Sequence, residues 1–155
     1  MRIYLVQHGE AIPEEIDPSR PLTAKGSGDV ERMARFAHQA SAQVPLIWHS
    51  GKLRAEQTAE LLAKALQPSE GIQQVSGLAP NDPIEPVLEQ LGVRQADLMI
   101  VGHLPFLAKL ASTLLCGFPA DIISFKPGGI LCLERGEDRR WRLAWMATPE
   151  LIRKD

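Results

Sequence analysis

The chain has 155 residues, enough for one domain that buries roughly 70% of its unfolded surface without staples. Its 17 Lys and Arg against 19 Asp and Glu leave a formal net charge of −2, and the basic residues are spread rather than blocked, which argues against nucleic acid as a partner. No apolar run approaches the roughly 20 residues of a membrane helix and Arg2 leads straight into a short strand, so no membrane or signal segment is expected and the cytoplasm is the expected location.

In chain order, Ile3 to Val6 form a short apolar run that stops at Gln7, His8 and Gly9, the pattern of a buried strand delivering side chains to the rim of a site. A polar loop over 9–23 follows. Val30, Met33, Ala34 and Ala37 then recur at helical spacing, which predicts a helix over 24–41 capped by Thr23. The run "VPLIWHS" at 44–50 reads as a second buried strand, leading into a helix over 52–66 that turns Leu61, Leu62, Ala65 and Leu66 to the core. A third strand is expected at 72–75. Asp82-Pro83-Ile84-Glu85 reads as a helix start with an acidic cap, and the stripe Ile84, Val87, Leu88 and Leu91 should end at Gly92. "DLMIVGH" at 97–103 is a further buried strand, and Pro105 opens a helix through Leu115. Residues 122–125, 129–134 and 140–146 read as antiparallel strands around a Pro127-Gly128-Gly129 turn. Cys116 and Cys132 lie in apolar runs without metal-ligand or redox spacing, so both are expected as buried free thiols.

Strands alternating with helices, with no internal repeat or linker, predict a single domain over 1–155. The expected fold class is α/β: a three-layer sandwich with a mostly parallel central sheet flanked by helices and an antiparallel hairpin near the C-terminus. Ligands bind such sheets in the crevice beyond the carboxyl ends of the strands. That rule selects His8 after the first strand, Ser50 and Arg54 after the second, and His103 after "LMIVG". Both histidines adjoin glycine, which lets a ligand approach the backbone, and Pro105 starts a helix whose free N–H groups favour an anion. The matching chemistry is phosphoryl transfer: one imidazole attacks phosphorus, a guanidinium holds the equatorial oxygens, and a second imidazole offsets developing charge.

The stretches "LVQHGEA", "SRPLTAKG", "HSGKLRAEQTAELL" and "IVGHLPFL" resemble, in order, the motifs of the histidine phosphatase superfamily, and more closely its small SixA-type phosphohistidine phosphatase branch. The resemblance runs from the first strand to about residue 115. It implies that His8 is the nucleophile phosphorylated during turnover, that Arg54 binds phosphate, that His103 contacts the phosphate opposite it, and that Arg20 adds a further basic group. Ser50 and Gln7 complete the expected phosphate-binding set. No metal and no organic cofactor is implied. The implied substrate is a phosphohistidine-bearing protein or a small phosphorylated molecule.

The chain departs from that pattern at Gln7, where the family places arginine. A glutamine donates through its NH2 group but supplies neither charge nor a bidentate fork. Losing one preorganised donor costs on the order of a hundredfold to a thousandfold in rate. The sequence therefore leaves open a slowed enzyme, a compensated one, or a phosphoprotein-binding module that has lost turnover. Family members that cleave phosphate esters place a carboxylate after the second arginine motif to protonate an alkoxide. Here that segment is "GLAPNDP", with Pro80 where the acid is sought, Asp82 read as a helix cap and Glu10 as a loop carboxylate. An imidazole leaving group needs no such acid, so phosphohistidine is the leading substrate and small phosphate esters the runner-up. His38 is expected on the surface and Trp48, Trp141 and Trp145 in packing, while His49 lies nearer the pocket, with a binding or supporting role as its minor reading.

Overall fold

The computed structural model describes residues 1–154. Among them, β1 (Arg2–Gln7), β2 (Ile47–His49), β3 (Ile72–Gln74), β4 (Leu98–Gly102), β5 (Ile130–Arg135) and β6 (Trp141–Ala147) form one sheet in the order β3-β2-β4-β1-β5-β6. The first four positions in that order pair in parallel, whereas β1–β5 and β5–β6 are antiparallel. The α/β sandwich with its C-terminal hairpin is thus as expected.

The helices α1 (Ala24–Gln39), α2 (Leu53–Leu66), α3 (Glu85–Val93) and α4 (Phe106–Cys116) divide between the two faces. Alternation along β1 explains the division, because successive side chains in a strand point to opposite faces. Tyr4 and Val6 join Val30, Met33, Ala59 and Leu62 of α1 and α2, while Ile3 and Leu5 join Val87, Leu91, Phe106 and Leu110 of α3 and α4. Covered on both faces, β1 and β4 read as continuous apolar runs rather than alternating ones. In β1 the register runs from Ile3 opposite Leu98 to Gln7 opposite Gly102.

Capping of α1 follows the sequence: the Thr23 hydroxyl accepts from Gly26 N–H at 2.9 Å. Gly26 also lies so close to the loop after β1 that a Cβ there would sit 2.2 Å from the Glu10 carbonyl oxygen. Only glycine allows α1 to press against that loop.

Several expectations need correction. Asp82 does not cap α3: its carboxylate accepts from Ala79 N–H at 2.8 Å, closing the preceding turn, and the helix starts at Glu85 with Pro86 in its first turn. An Asp82 cap would need Ile84 and Glu85 inside the first turn, but Ile84 is itself the residue preceding the helix and makes no side-chain cap. The helix also runs through Gly92 to Val93, because Arg94 N–H still reaches the Gln90 carbonyl. Residues 122–125 form no strand, since both sides of β5 are already paired, and Phe125 is packed into the core instead. The hairpin turn lies at 136–140, where Gly136 N–H and the Arg140 carbonyl meet, rather than at Pro127-Gly128-Gly129. That glycine turn serves the end of β1: Gly128 N–H donates to the carbonyls of Gln7 and His8. Finally, only Cys132 is buried; Cys116, the last residue of α4, faces solvent.

Candidate active site

Because β4 lies between β2 and β1, the residues that follow these three strands emerge side by side. His8 N–H extends the ladder one step beyond β1 by donating to the Gly102 carbonyl at 3.0 Å. The His8 and His103 rings then face each other with centroids 5.0 Å apart, tilted by 50°. Ser50 Oγ and His103 Nε2 are hydrogen bonded at 2.6 Å. Chain segments some fifty residues apart meet at one rim.

His8 is held in a defined tautomer. Its Nδ1 lies 2.7 Å from the Gly9 carbonyl; a carbonyl only accepts, so Nδ1 carries the proton and Nε2 keeps a free lone pair. Gly9 N–H in turn donates to Thr58 Oγ1 at 3.0 Å, and the Thr58 hydroxyl donates to the Arg54 carbonyl at 2.7 Å. This chain locks the residue after His8 to the first turn of α2, which carries Arg54. Thr58 escaped the sequence reading. Its spacing of four from Arg54 was the available signal, because a Thr on a helix reaches the carbonyl four residues back.

The charges felt at the two histidines are cationic. Burial, followed by the charges of Arg54 and Arg20, pushes the His8 pKa down to about 4 against the raising effect of the Gly9 hydrogen bond. For His103, burial first and then His8, Arg54, Lys52 and Arg20 push it down to about 3. Burial and then Arg20 also lower the Arg54 pKa, which Glu14 partly offsets. Both imidazoles are neutral at pH 7. Arg20 is brought to the site in a left-handed backbone conformation (φ 49°), with Nε donating to the Ile12 carbonyl at 3.0 Å. Lys52 and Glu14 were not anticipated from sequence. Both are ordinary surface residue types, and only the folded arrangement brings their charges to bear on His103 and Arg54.

Among the described residues, Gln7 Oε1, Arg54 Nε and His103 Nδ1 are buried without a hydrogen-bond partner. Arg54 Nε–H is a donor without an acceptor, and of the Gln7 amide only the NH2 group is able to donate. The carboxylates considered from sequence point elsewhere: Glu10 lies 4.0 Å from Lys25, and Asp82 is engaged at Ala79. None enters the field at His8 or His103. Among the described residues, no group of His, Cys, Asp and Glu could hold a metal, and no helix is long and apolar enough to cross a membrane.

His49 supports the loop from below: it is buried, and its Nδ1 accepts from Gly51 N–H at 3.1 Å. His38 is exposed on α1. Trp145 packs against Tyr4 and Phe36, while Arg94 and Arg135 lie over the rings of Trp48 and Trp141. A groove of about 740 Å³, lined by His38, Val44, Leu66 and Asp97 among others, opens at the opposite end of the strands.

No protein-family model matches the chain. A protein of Picosynechococcus sp. whose function is uncharacterised is 34% identical over 147 residues, 90% of this chain and 88% of that relative. The chain belongs to the same family as that protein. Phosphohistidine phosphatase SixA of Escherichia coli is 25% identical over 156 residues, 96% of this chain and 94% of SixA. A solved structure of the protein histidine phosphatase SixA complexed with tungstate superposes with a TM-score of 0.87 at 24% identity, covering 97% of this chain and 99% of that one. The fold of this chain is therefore the SixA fold, which it also shares with an alpha-ribazole phosphatase from Shigella flexneri, at a TM-score of 0.78 and 17% identity over 96% of this chain and 97% of that one.

Proposed function

We propose that the chain is a phosphohistidine phosphatase of the histidine phosphatase superfamily, acting through a phosphohistidine on His8. One observation carries this reading: a neutral imidazole with its Nε2 lone pair free sits 5.0 Å from a second neutral imidazole, ringed by cations and with no carboxylate in the field of either. Such a setting attracts an anion, offers a nucleophile and provides no acid for a basic leaving group. The likeness to SixA over nearly the whole chain supports it.

In the first step His8 Nε2 attacks phosphorus. The bond from phosphorus to the substrate imidazole breaks, its electron pair staying on that ring, which takes a proton from water. In the second step water attacks the phosphoryl group on His8, phosphate leaves, and the electron pair returns to Nε2. The Nδ1–H bond to Gly9 steadies the ring through both steps. Arg54 and His103 donate to the equatorial oxygens, with Arg20, Ser50 and the Gln7 NH2 group completing the set. The substrate is a phosphohistidine-bearing protein or a small phosphorylated molecule, and the reaction requires no cofactor.

The test is a comparison of initial rates on phosphoramidate and a phosphohistidine peptide with those on a phosphoserine peptide and an alkyl phosphate, each with and without chelator. The expected result is a preference for P–N bonds of at least about a hundredfold, the scale of acid catalysis that an alkoxide would need, unchanged by chelator. Equal rates overturn it in favour of small phosphate esters and make Glu14 the carboxylate to replace. Vanadate binding without any turnover makes the chain a phosphate-binding module instead.

A further inference from the structure

We infer that Lys52 provides the positive charge that holds the substrate phosphoryl group where residue 7 offers only an amide. The inference rests on the phosphatase reading above. It begins with the backbone of "HSGKLR". Gly51 has a φ of +90°, and a Cβ there would sit 2.5 Å from the Gln74 amide nitrogen. Only glycine lets the chain turn beneath that side chain. His49 Nδ1 accepts from Gly51 N–H, and Ser50 Oγ accepts from Lys52 N–H at 3.3 Å. The same Ser50 Oγ is 2.6 Å from His103 Nε2. The Lys52 carbonyl accepts from Ala55 and Glu56 N–H, each at 2.9 Å. The backbone of Lys52 is thus anchored through Ser50 to His103, on a rigid footing.

Its side chain is in the opposite condition. Lys52 is exposed, and among the described residues it has no ion pair and no side-chain hydrogen bond. The other cations near the rim are partly committed: Arg20 Nε serves the Ile12 carbonyl, and Lys25 is paired with Asp29 at 2.7 Å. The charge of Lys52 is felt at His103 more strongly than that of Arg20, while Arg20 and not Lys52 is felt at His8. An ammonium on a flexible stem needs no fork geometry to meet a phosphoryl oxygen. A lysine on a fixed footing at the His103 side is what a site lacking the guanidinium at residue 7 requires.

The experiment measures vanadate affinity and phosphoramidate turnover in Lys52→Met, Lys52→Arg, Gln7→Arg and the double variant Lys52→Met/Gln7→Arg. Lys64→Met, at the exposed far end of α2, is the control and leaves both quantities unchanged. Lys52→Met is expected to lose about 10- to 30-fold in vanadate affinity and in kcat/KM, the lower end of the range for one hydrogen bond to a charged group, and Lys52→Arg recovers most of it. Gln7→Arg should gain less than about threefold in the wild-type chain yet about tenfold in Lys52→Met, because neighbouring groups serving one anion are not additive. Wild-type affinity in Lys52→Met overturns the assignment, as does an equal gain from Gln7→Arg in both backgrounds. A wild-type chain that turns over phosphoramidate while Lys52→Met does so equally well fails this inference alone. A wild-type chain that neither binds vanadate nor turns over phosphoramidate fails the phosphatase reading and this inference with it.

Discussion

Two arginines at opposite ends of the molecule show how the same side chain serves different ends. Arg135, in β5, is buried, and its guanidinium donates to the Leu91 carbonyl at 2.8 Å and to the Arg94 carbonyl at 2.6 Å. It closes the C-terminal end of α3, where carbonyl oxygens lack helical partners. Arg139, from the adjoining hairpin, donates to Gly92 of the same helix end. Arg54, in the first turn of α2, is lowered in pKa by burial just as Arg135 is, yet its buried Nε has no partner among the described residues. A buried donor without an acceptor costs free energy, and here it coincides with an unpartnered His103 Nδ1 and the free lone pair of His8. One arginine is satisfied by the fold; the other keeps a buried donor open at the proposed phosphate site.

The sharpest test of this contrast removes the nucleophile. His8→Ala should lose at least about 10⁴-fold in phosphoramidate turnover, the scale seen when a covalent nucleophile is deleted, while its thermal midpoint shifts by only a few degrees. Single-turnover labelling checks it: acid-labile phosphate appears on the wild-type chain and not on the variant. Retention of wild-type turnover by His8→Ala would remove the covalent mechanism.

Replacing the two arginines separates their roles. Arg54→Ala is expected to lower kcat/KM by about 10²- to 10³-fold, as for loss of one preorganised donor, with a small effect on the urea midpoint. Arg135→Ala should do the reverse, costing about 2–3 kcal/mol of stability because it strips charged donors from carbonyls that then lie unpaired. Activity per folded molecule should stay unchanged. Similar stability losses in the two variants would show that Arg54 also works chiefly as a brace.

The smallest effect is on pH dependence. Burial holds His8 and His103 neutral, with pKa values near 4 and 3 against 6.5 for a free histidine. As pH falls below 6.5 the unfolded chain takes up protons that the folded chain refuses, so stability declines across the window down to about pH 3–4. Urea unfolding between pH 7 and pH 4 should therefore show a falling midpoint, with a shallower slope in His103→Gln. The same shift places the acid limb of kcat/KM well below pH 6.5. A limb near 6.5 would mean that His8 is hydrated and unpaired in the free protein.

The order of strands and helices, the apolar runs of β1 and β4, the Thr23 cap and the candidates His8, Ser50, Arg54 and His103 were all legible in the chain itself. Periodicity and local capping are properties of neighbouring residues, and the rule that ligands bind beyond strand ends needs only the element order. Elsewhere, local signals competed with global ones. Asp82 carries the sequence of a helix cap but its carboxylate accepts from Ala79 N–H, while the helix begins later, at Glu85 after Ile84. The glycine turn at 127–129 looks like a hairpin, yet it closes over the end of β1 because the true partner of β5 lies beyond Arg140. Cys116 sits in an apolar run whose helix ends at that very residue, so its thiol meets solvent. Thr58, Lys52 and Glu14 come near the candidate residues only through tertiary proximity. Whether a lysine is a solvated surface charge or the cation of a phosphate site depends on distance to residues fifty positions away, and only the packing of α2 against the ends of β1 and β4 sets that distance.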